Sequence, residues 1–179
     1  MVFEGISLYK KFNKIAGNVV IKNPINPAFG KEDNFFDCLK TVKILSDKNI
    51  PVNVTLIFTP EQALLAARAG AKYVSPFAGR IDDFLREKRK KYDSGIASGV
   101  DLVAQCVTIF REHKITAKVL AASIRNKRQL REVALVGADI ATIPFAVLQE
   151  SLKHEKTAEG VKKFSEDMPD SYRKLLTEK

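Results

Sequence analysis

Five short apolar runs rich in β-branched residues, at residues 18–22, 52–58, 72–76, 118–123 and 139–144, alternate with helical patterns along the chain. None of them alternates polar with apolar residues over its whole length. A strand with one wet face would show that period of two. Runs without it suit parallel strands covered on both faces. Strand and helix in strict turn then restrict the architecture to an α/β fold with a parallel sheet.

The helical patterns lie near residues 2–15, 35–46, 60–69, 94–113 and 127–136. Their ends carry recognisable chemistry. In TPEQ, Thr59 is placed to cap a helix, Pro60 takes the first helical position and Gln62 completes a capping box. NKRQ repeats the logic with Asn126 and Gln129. Gly70 and Gly137 each follow a last helical residue, where a left-handed cap is wanted. After Pro144 the pattern is helical throughout, in FAVLQESLKH, TAEGVKKFSED and PDSYRKLLTEK. We therefore expect one domain over residues 1–179, with 145–179 as a helical tail that covers a neighbouring surface of this subunit or of another copy.

Composition narrows the functional classes. Apolar residues make up 45% and charged residues 28%, a balance that supports a packed core and excludes a disordered chain. No apolar run approaches the ~18 residues of a membrane helix. The start, MVFEGISLYKKFNK, is amphipathic and lacks a secretory apolar stretch, so a cytoplasmic setting is expected. Cys38 and Cys106 fall inside helical patterns and read as reduced core thiols. His113 and His154 have no companion ligand spacing, so neither a metal nor another cofactor is expected. The net charge of +9 favours anionic ligands, either sugar phosphates or nucleic acid. Much of it lies in REKRKK, residues 86–91, read as a solvated loop or helix start. Without aromatic interleaving or zinc spacing, nucleic acid is not the expected partner.

Strand direction separates one lysine from the others. Lys72 and Lys118 stand at the beginnings of their strands, whereas Lys22 closes the first apolar run, at the end that carries chemistry in a βα barrel. Pressed among apolar walls or near other cations, such an amine loses its proton more easily and can attack a carbonyl to form a Schiff base. The other strand ends carry compatible groups: Asn53 and Thr55 in NVT, Ser75 and Arg80 in SPFAGR, Ser123 and Arg125 in ASIRN. Two arginines, a serine hydroxyl and helix N–H groups are the makings of a phosphate site.

The segments VVIKNP, NVTLIFTPEQALLAARAGAKYVSPFAGRIDD, VLAASIRN and GADIATIPF resemble the transaldolases, in particular the short type that includes the fructose-6-phosphate aldolases. The resemblance runs from about residue 3 to about residue 168. It implies a (β/α)8 TIM barrel, with Lys22 as the Schiff-base lysine of the fourth strand. It also implies that Thr55 helps hold the catalytic water, and that Asn53 and Ser75 contact the dihydroxyacetone part of the sugar. Arg80, Ser123 and Arg125 become the phosphate-binding set. The implied activity is transfer of a dihydroxyacetone unit between sugar phosphates in the pentose phosphate pathway; the helical tail suggests contacts between subunits, so a homo-oligomer is expected. Phe77 stands where the aldolase type carries a tyrosine, which favours transferase over lyase.

The same match exposes departures. The five strands correspond to the fourth to eighth of the barrel, so an incomplete barrel is expected, without the first three βα units. With them go the acid/base aspartate, an asparagine and a water-positioning acidic or amide residue. Asn23-Pro24 and PAFGKEDN lengthen the loop after Lys22, and FLREKRKKYDSGIASG is longer and more basic than the loop usual there. Asp82 and Asp83 read as loop or helix-cap residues rather than as a replacement acid/base. The alternatives are an aldolase-type lyase, or a non-catalytic sugar-phosphate-binding remnant or partner subunit. Missing strands would come from upstream sequence, from another polypeptide or from a second truncated copy; otherwise the sheet stays open.

Overall fold

A computed structural model describes residues 2–26, 36–87, 95–169 and 172. Residues up to Pro144 form one compact unit and the chain from Phe145 a second. The first unit runs α1 (Val2–Ala16), β1 (Ile21–Pro24), α2 (Asp37–Asp47), β2 (Val52–Ile57), α3 (Pro60–Arg68), β3 (Tyr73–Pro76) and α4 (Ala78–Glu87). It continues with α5 (Gly99–Glu112), β4 (Lys118–Ala121), α6 (Lys127–Leu135) and β5 (Ile140–Ala141). The five strands form one sheet in the order β1-β2-β3-β4-β5, every neighbouring pair parallel. This is the arrangement expected of part of a (β/α)8 barrel, with β1 and β5 as edges among the described residues.

The sheet has two unlike faces, and the register identifies them. Val52 pairs with Ile21, and Val54 is level with Asn23 and Val74, which is level in turn with Val119. The four valines are buried, and with Leu45, Ala63, Leu102, Cys106 and Val133 from the helices they make the core. Burying a side chain of that kind is worth roughly 1.5–3 kcal/mol, so this face holds the fold together. Both thiols lie here, and burial pushes Cys38 up to about 11 and Cys106 up to about 12. They are protonated, inert core groups. Asn23, on the same face, donates to Cys38 Sγ at 3.3 Å.

Local signals behave as their chemistry requires. The Thr59 and Asn126 side chains accept the N–H groups of Gln62 and Gln129 at 3.3 and 2.8 Å. Gln62 reaches back to the N–H of Phe58, one residue earlier than a capping box demands, and Gln129 likewise accepts from Arg125. Gly70 and Gly137 adopt φ of +105° and +89°, a region that costs a side-chain-bearing residue.

Three expectations change. The first strand begins at Ile21 and extends through Asn23 and Pro24, which therefore belong to β1 and not to a loop. Ile21 and Ile25 donate their N–H groups to Pro51 and Thr55 on β2. By alternation the nitrogen of Pro24 faces the open edge, where a missing N–H costs no ladder bond. Second, a helix that the sequence does not signal, α4, follows β3, and α5 begins only at Gly99, capped by Ser98. Third, Arg86 and Glu87 of the basic run end α4; residues 88–91 lie outside the described residues, as does the 27–34 segment.

The second unit holds α7 (Phe145–Ser151) and α8 (Glu155–Glu166). No residue of α8 is buried, and Val161 and Phe164 are exposed.

Candidate active site

The sheet face opposite the valine core carries the candidate residues. Lys22 is level with Asn53, and Pro24 with Thr55. Because side chains alternate along a strand, Lys22, Asn53 and Thr55 share this face. Ser75 joins them directly: its hydroxyl donates to Asn53 Oδ1 at 2.8 Å, which leaves the Asn53 NH2 as the donor end of that amide. The structure thus brings Lys22, Asn53, Thr55 and Ser75 onto one surface. Lys22 itself is exposed, on an edge strand. The enclosing apolar cup anticipated around it is not provided by the described residues, because the side of the sheet beyond β1 is open.

Thr55 is the group here with an unmet demand. It is 7% exposed, and its Oγ1 is buried without a hydrogen-bond partner among the described residues. An unsatisfied buried hydroxyl costs about 1–3 kcal/mol, so the position suits a bound water or a ligand oxygen. Around it the pairing of β2 with β3 slips between Val54 and Ile57, and Leu56 takes φ +58°. A bulky residue there is uncommon, and such irregularities re-aim strand ends beside functional groups. Thr55→Val is expected to leave the melting temperature unchanged or raise it, since the isosteric change removes the orphan hydroxyl. A clear drop in Tm would mean that the hydroxyl is satisfied after all.

The two arginines meet beyond the strand ends. Arg80, in the first turn of α4, and Arg125, before α6, line one cavity of about 540 Å³ with Phe58, Asp83 and Phe84. Arg80 lies over the Phe77 ring, 5.3 Å from its centroid. Arg125 gives both arms of its guanidinium to Asp83, one of them at 2.7 Å. That hydrogen bond, together with the charges of Arg125 and Arg86, holds the Asp83 carboxyl below the usual carboxylate range against partial desolvation. A lowered value keeps the pair intact at neutral pH and dissolves it only as acid protonates Asp83.

Glycine makes the convergence possible. A Cβ on Gly79 would stand 2.8 Å from Arg125 Nε, 3.0 Å from Ser123 Oγ and 2.2 Å from the Ser123 carbonyl oxygen. The SPFAGR and ASIRN segments therefore touch at that point, and Ser123 meets it in the left-handed region at φ +62°. The helix N–H groups expected to serve an anion are in part already taken. Gln129 N–H goes to the Asn126 side chain, and Arg125 N–H to the Gln129 side chain.

A hollow of equal volume, about 540 Å³, lies at the opposite strand ends, lined by Asn18, Asn49, Gly70 and Lys72 among others. It has neither paired cations nor a row of polar strand residues, and barrel chemistry belongs to the C-terminal ends. Among the described residues no group of His, Cys, Asp and Glu side chains could hold a metal ion, and no helix is long and apolar enough to cross a membrane.

Sequence reasoning missed Asp83 and Gln129 as parts of this site, and read Asp82 and Asp83 as loop or cap residues. The contacts that bring them into the site, Asp83 with Arg125 and Gln129 with Asp82, span 42 and 47 residues, a separation that no local pattern flags.

Comparison with known proteins identifies the family. Residues 1–178 match the model of the family described as transaldolase/fructose-6-phosphate aldolase. A probable transaldolase of Geotalea daltonii is 46% identical over 162 residues, covering 90% of this chain and 66% of that protein. A probable transaldolase of Clostridioides difficile is 42% identical over 166 residues, covering 93% of this chain and 68% of its own length. The chain thus spans about two thirds of the length of these relatives. Among solved structures, mandelate oxidase with benzoyl-formic acid superposes with a TM-score of 0.53 at 16% identity, over 80% of this chain and 46% of the other. That likeness concerns the fold alone. With a matching family model over nearly all its length and five parallel strands of the right kind, the chain belongs to the transaldolase/fructose-6-phosphate aldolase family.

Proposed function

We propose that this chain is the Schiff-base portion of a transaldolase-type enzyme that transfers a dihydroxyacetone unit between sugar phosphates. The observation that carries the reading is spatial. Lys22, Asn53, Thr55 and Ser75 share one sheet face, and Arg80 and Arg125 line one cavity beyond the strand ends.

The chemistry follows from those groups. The Lys22 amine attacks the ketose carbonyl carbon, and loss of water gives an iminium ion. Thr55 Oγ1, without a partner among the described residues, holds the water that enters and leaves. Asn53 and Ser75 bind the hydroxyls next to that carbon, while Arg80, Ser123 and Arg125 grip the far phosphate. The iminium withdraws electrons, so removing the proton from the C4 hydroxyl breaks the C3–C4 bond. An aldose leaves and an enamine stays on the lysine, from which its carbon attacks the aldehyde of an acceptor sugar.

The proton needs a base, and here a specific observation supports a second reading. Asp82 accepts from the Gly99 N–H and from Gln129, and Asp83 from Arg125 and Arg86. Neither carboxylate is free to act as the acid/base, a group that typically contributes about a hundred- to ten-thousand-fold. Working alone, the chain would form the imine and cleave slowly, or serve as a sugar-phosphate-binding partner subunit. The open β1 edge is where further strands would complete both the barrel and the wall around Lys22. Phe77 favours transferase over an aldolase-type lyase. The same reading carries a cytoplasmic setting in the pentose phosphate pathway, and a homo-oligomer to which α8, none of whose residues is buried, would contribute.

Incubation with dihydroxyacetone followed by borohydride should leave a stable added mass on Lys22, located by peptide mass spectrometry. Labelling of a different lysine, or of none, ends the proposal.

A further inference from the structure

We propose that Asp82 and Gln129 form a polarity-fixed relay that positions the phosphate grip, by tying the backbone of Arg125 to the helix that carries Arg80. This rests on the phosphate role proposed above for the two arginines. Asp82 lies on α4, two residues after Arg80. Its Oδ1 accepts the N–H of Gly99, the first residue of α5, at 2.6 Å. Its Oδ2 accepts from Gln129 Nε2 at 2.7 Å. The other end of that amide, Oε1, accepts the backbone N–H of Arg125 at 2.9 Å. Neighbouring Asp83 holds the guanidinium of the same arginine. Arg125 is therefore referenced to α4 twice, by its backbone and by its side chain, and its separation from Arg80 is set within one rigid frame.

The relay has a parity that dictates its chemistry. Both ends are backbone N–H groups, which can only donate. Two side chains linking two donors must together present an acceptor outward at each end and one donor–acceptor pair in the middle. One of them must accept at both of its ends, which takes a carboxylate, and the other must do one of each, which takes an amide. Two amides leave a donor facing a donor whichever way either is flipped, and two carboxylates face each other in the middle. Asp82 and Gln129 satisfy the rule, and so would the reversed pair, an amide at position 82 with a carboxylate at position 129.

The test uses inorganic phosphate as the probe and calorimetry on the full chain. Asp82→Asn should weaken phosphate about tenfold, the size expected of one unsatisfied donor, although removal of a negative charge would by itself tighten it. Gln129→Glu should also weaken it. The double variant D82N/Q129E, with the wild-type net charge, should recover affinity to within about threefold. Dihydroxyacetone lacks a phosphate, so its borohydride adduct on Lys22 should fall less in D82N than phosphate affinity does; a loss of folding would diminish both readouts together. The relay is overturned if D82N binds phosphate as well as the wild type or better. A double variant no better than the weaker single one, or one that does not fold, also overturns it, as does a wild-type chain that binds no phosphate. If phosphate binding follows this pattern but Lys22 is never labelled, the relay stands and the catalytic reading falls. If Lys22 is labelled and phosphate is indifferent to all three variants, the relay alone falls.

Discussion

Lys22→Met is expected to abolish the borohydride-stabilised adduct with dihydroxyacetone and to leave inorganic phosphate affinity where it was. The expectation follows from how the nucleophiles are distributed. Both thiols are sealed in the core on the other side of the sheet and held protonated by burial. Lys72 precedes β3 and Lys118 opens β4, both at the strand ends remote from Arg80 and Arg125. Lys118 is in addition bound to Asp139 at 2.8 Å. Lys22 is the lysine that stands level with Asn53, beside the groups that would hold a ketose. Methionine keeps the length and the apolar stem, so the change removes the amine and little else. Phosphate binding depends on α4 and the segment before α6, which the substitution does not touch. An adduct that survives in Lys22→Met would place the chemistry on some other amine, and a fall in phosphate affinity would mean that the two halves of the site are coupled in a way these contacts do not account for.

Gly79→Ala should be damaging to both stability and anion binding. Alanine is the better helix former by about 1 kcal/mol, and Gly79 does not have a positive φ, so local propensity alone predicts a gain. Tertiary contact decides otherwise. The added carbon would lie 2.2 Å from the Ser123 carbonyl oxygen, which is backbone and cannot swing aside as a side-chain end would. It would also part the Gly79 N–H from that oxygen, a hydrogen bond of 3.1 Å. Overpacking of this kind costs about 3 kcal/mol, which outweighs the propensity gain. Relief can come only by driving SPFAGR and ASIRN apart, and that moves Arg125 away from Arg80. Thermal denaturation should show a marked drop in Tm, with phosphate affinity falling in whatever folded protein remains. An alanine variant as stable as the wild type would refute the close approach of α4 to the end of β4.

Particular residues mark where reading the sequence stops being sufficient. Thr59, Asn126, Gly70 and Gly137 are legible because a cap or a left-handed turn is a local matter, settled by a side chain within a few residues of the groups it satisfies. Helix α4 is illegible for the converse reason. Phe77, and not a Ser, Thr, Asp or Asn, immediately precedes it. Its first N–H groups, from Ala78 and Gly79, are satisfied by the carbonyls of Ala122 and Ser123, more than forty residues further along. Its cap is tertiary, so no local pattern announces it. The reach of β1 to Pro24 is hidden in a similar way, because only pairing on a single side makes a proline harmless there.

By itself, then, the order of residues determined the parallel α/β class, the strand ends at which the chemistry is expected, and the identities of Lys22, Thr55, Arg80 and Arg125 as candidates. Those follow from hydrophobic period, chain direction and side-chain type, all of which are properties of short stretches. Only the tertiary structure decided that, among the described residues, Lys22 stands exposed at a sheet edge, that Thr55 Oγ1 has no hydrogen-bond partner, and that Asp82, Asp83 and Gln129 are joined to Arg125. Each of these depends on what a folded chain brings within about 3 Å across dozens of residues, and hydrogen bonds at that range are specified by packing and not by sequence neighbours.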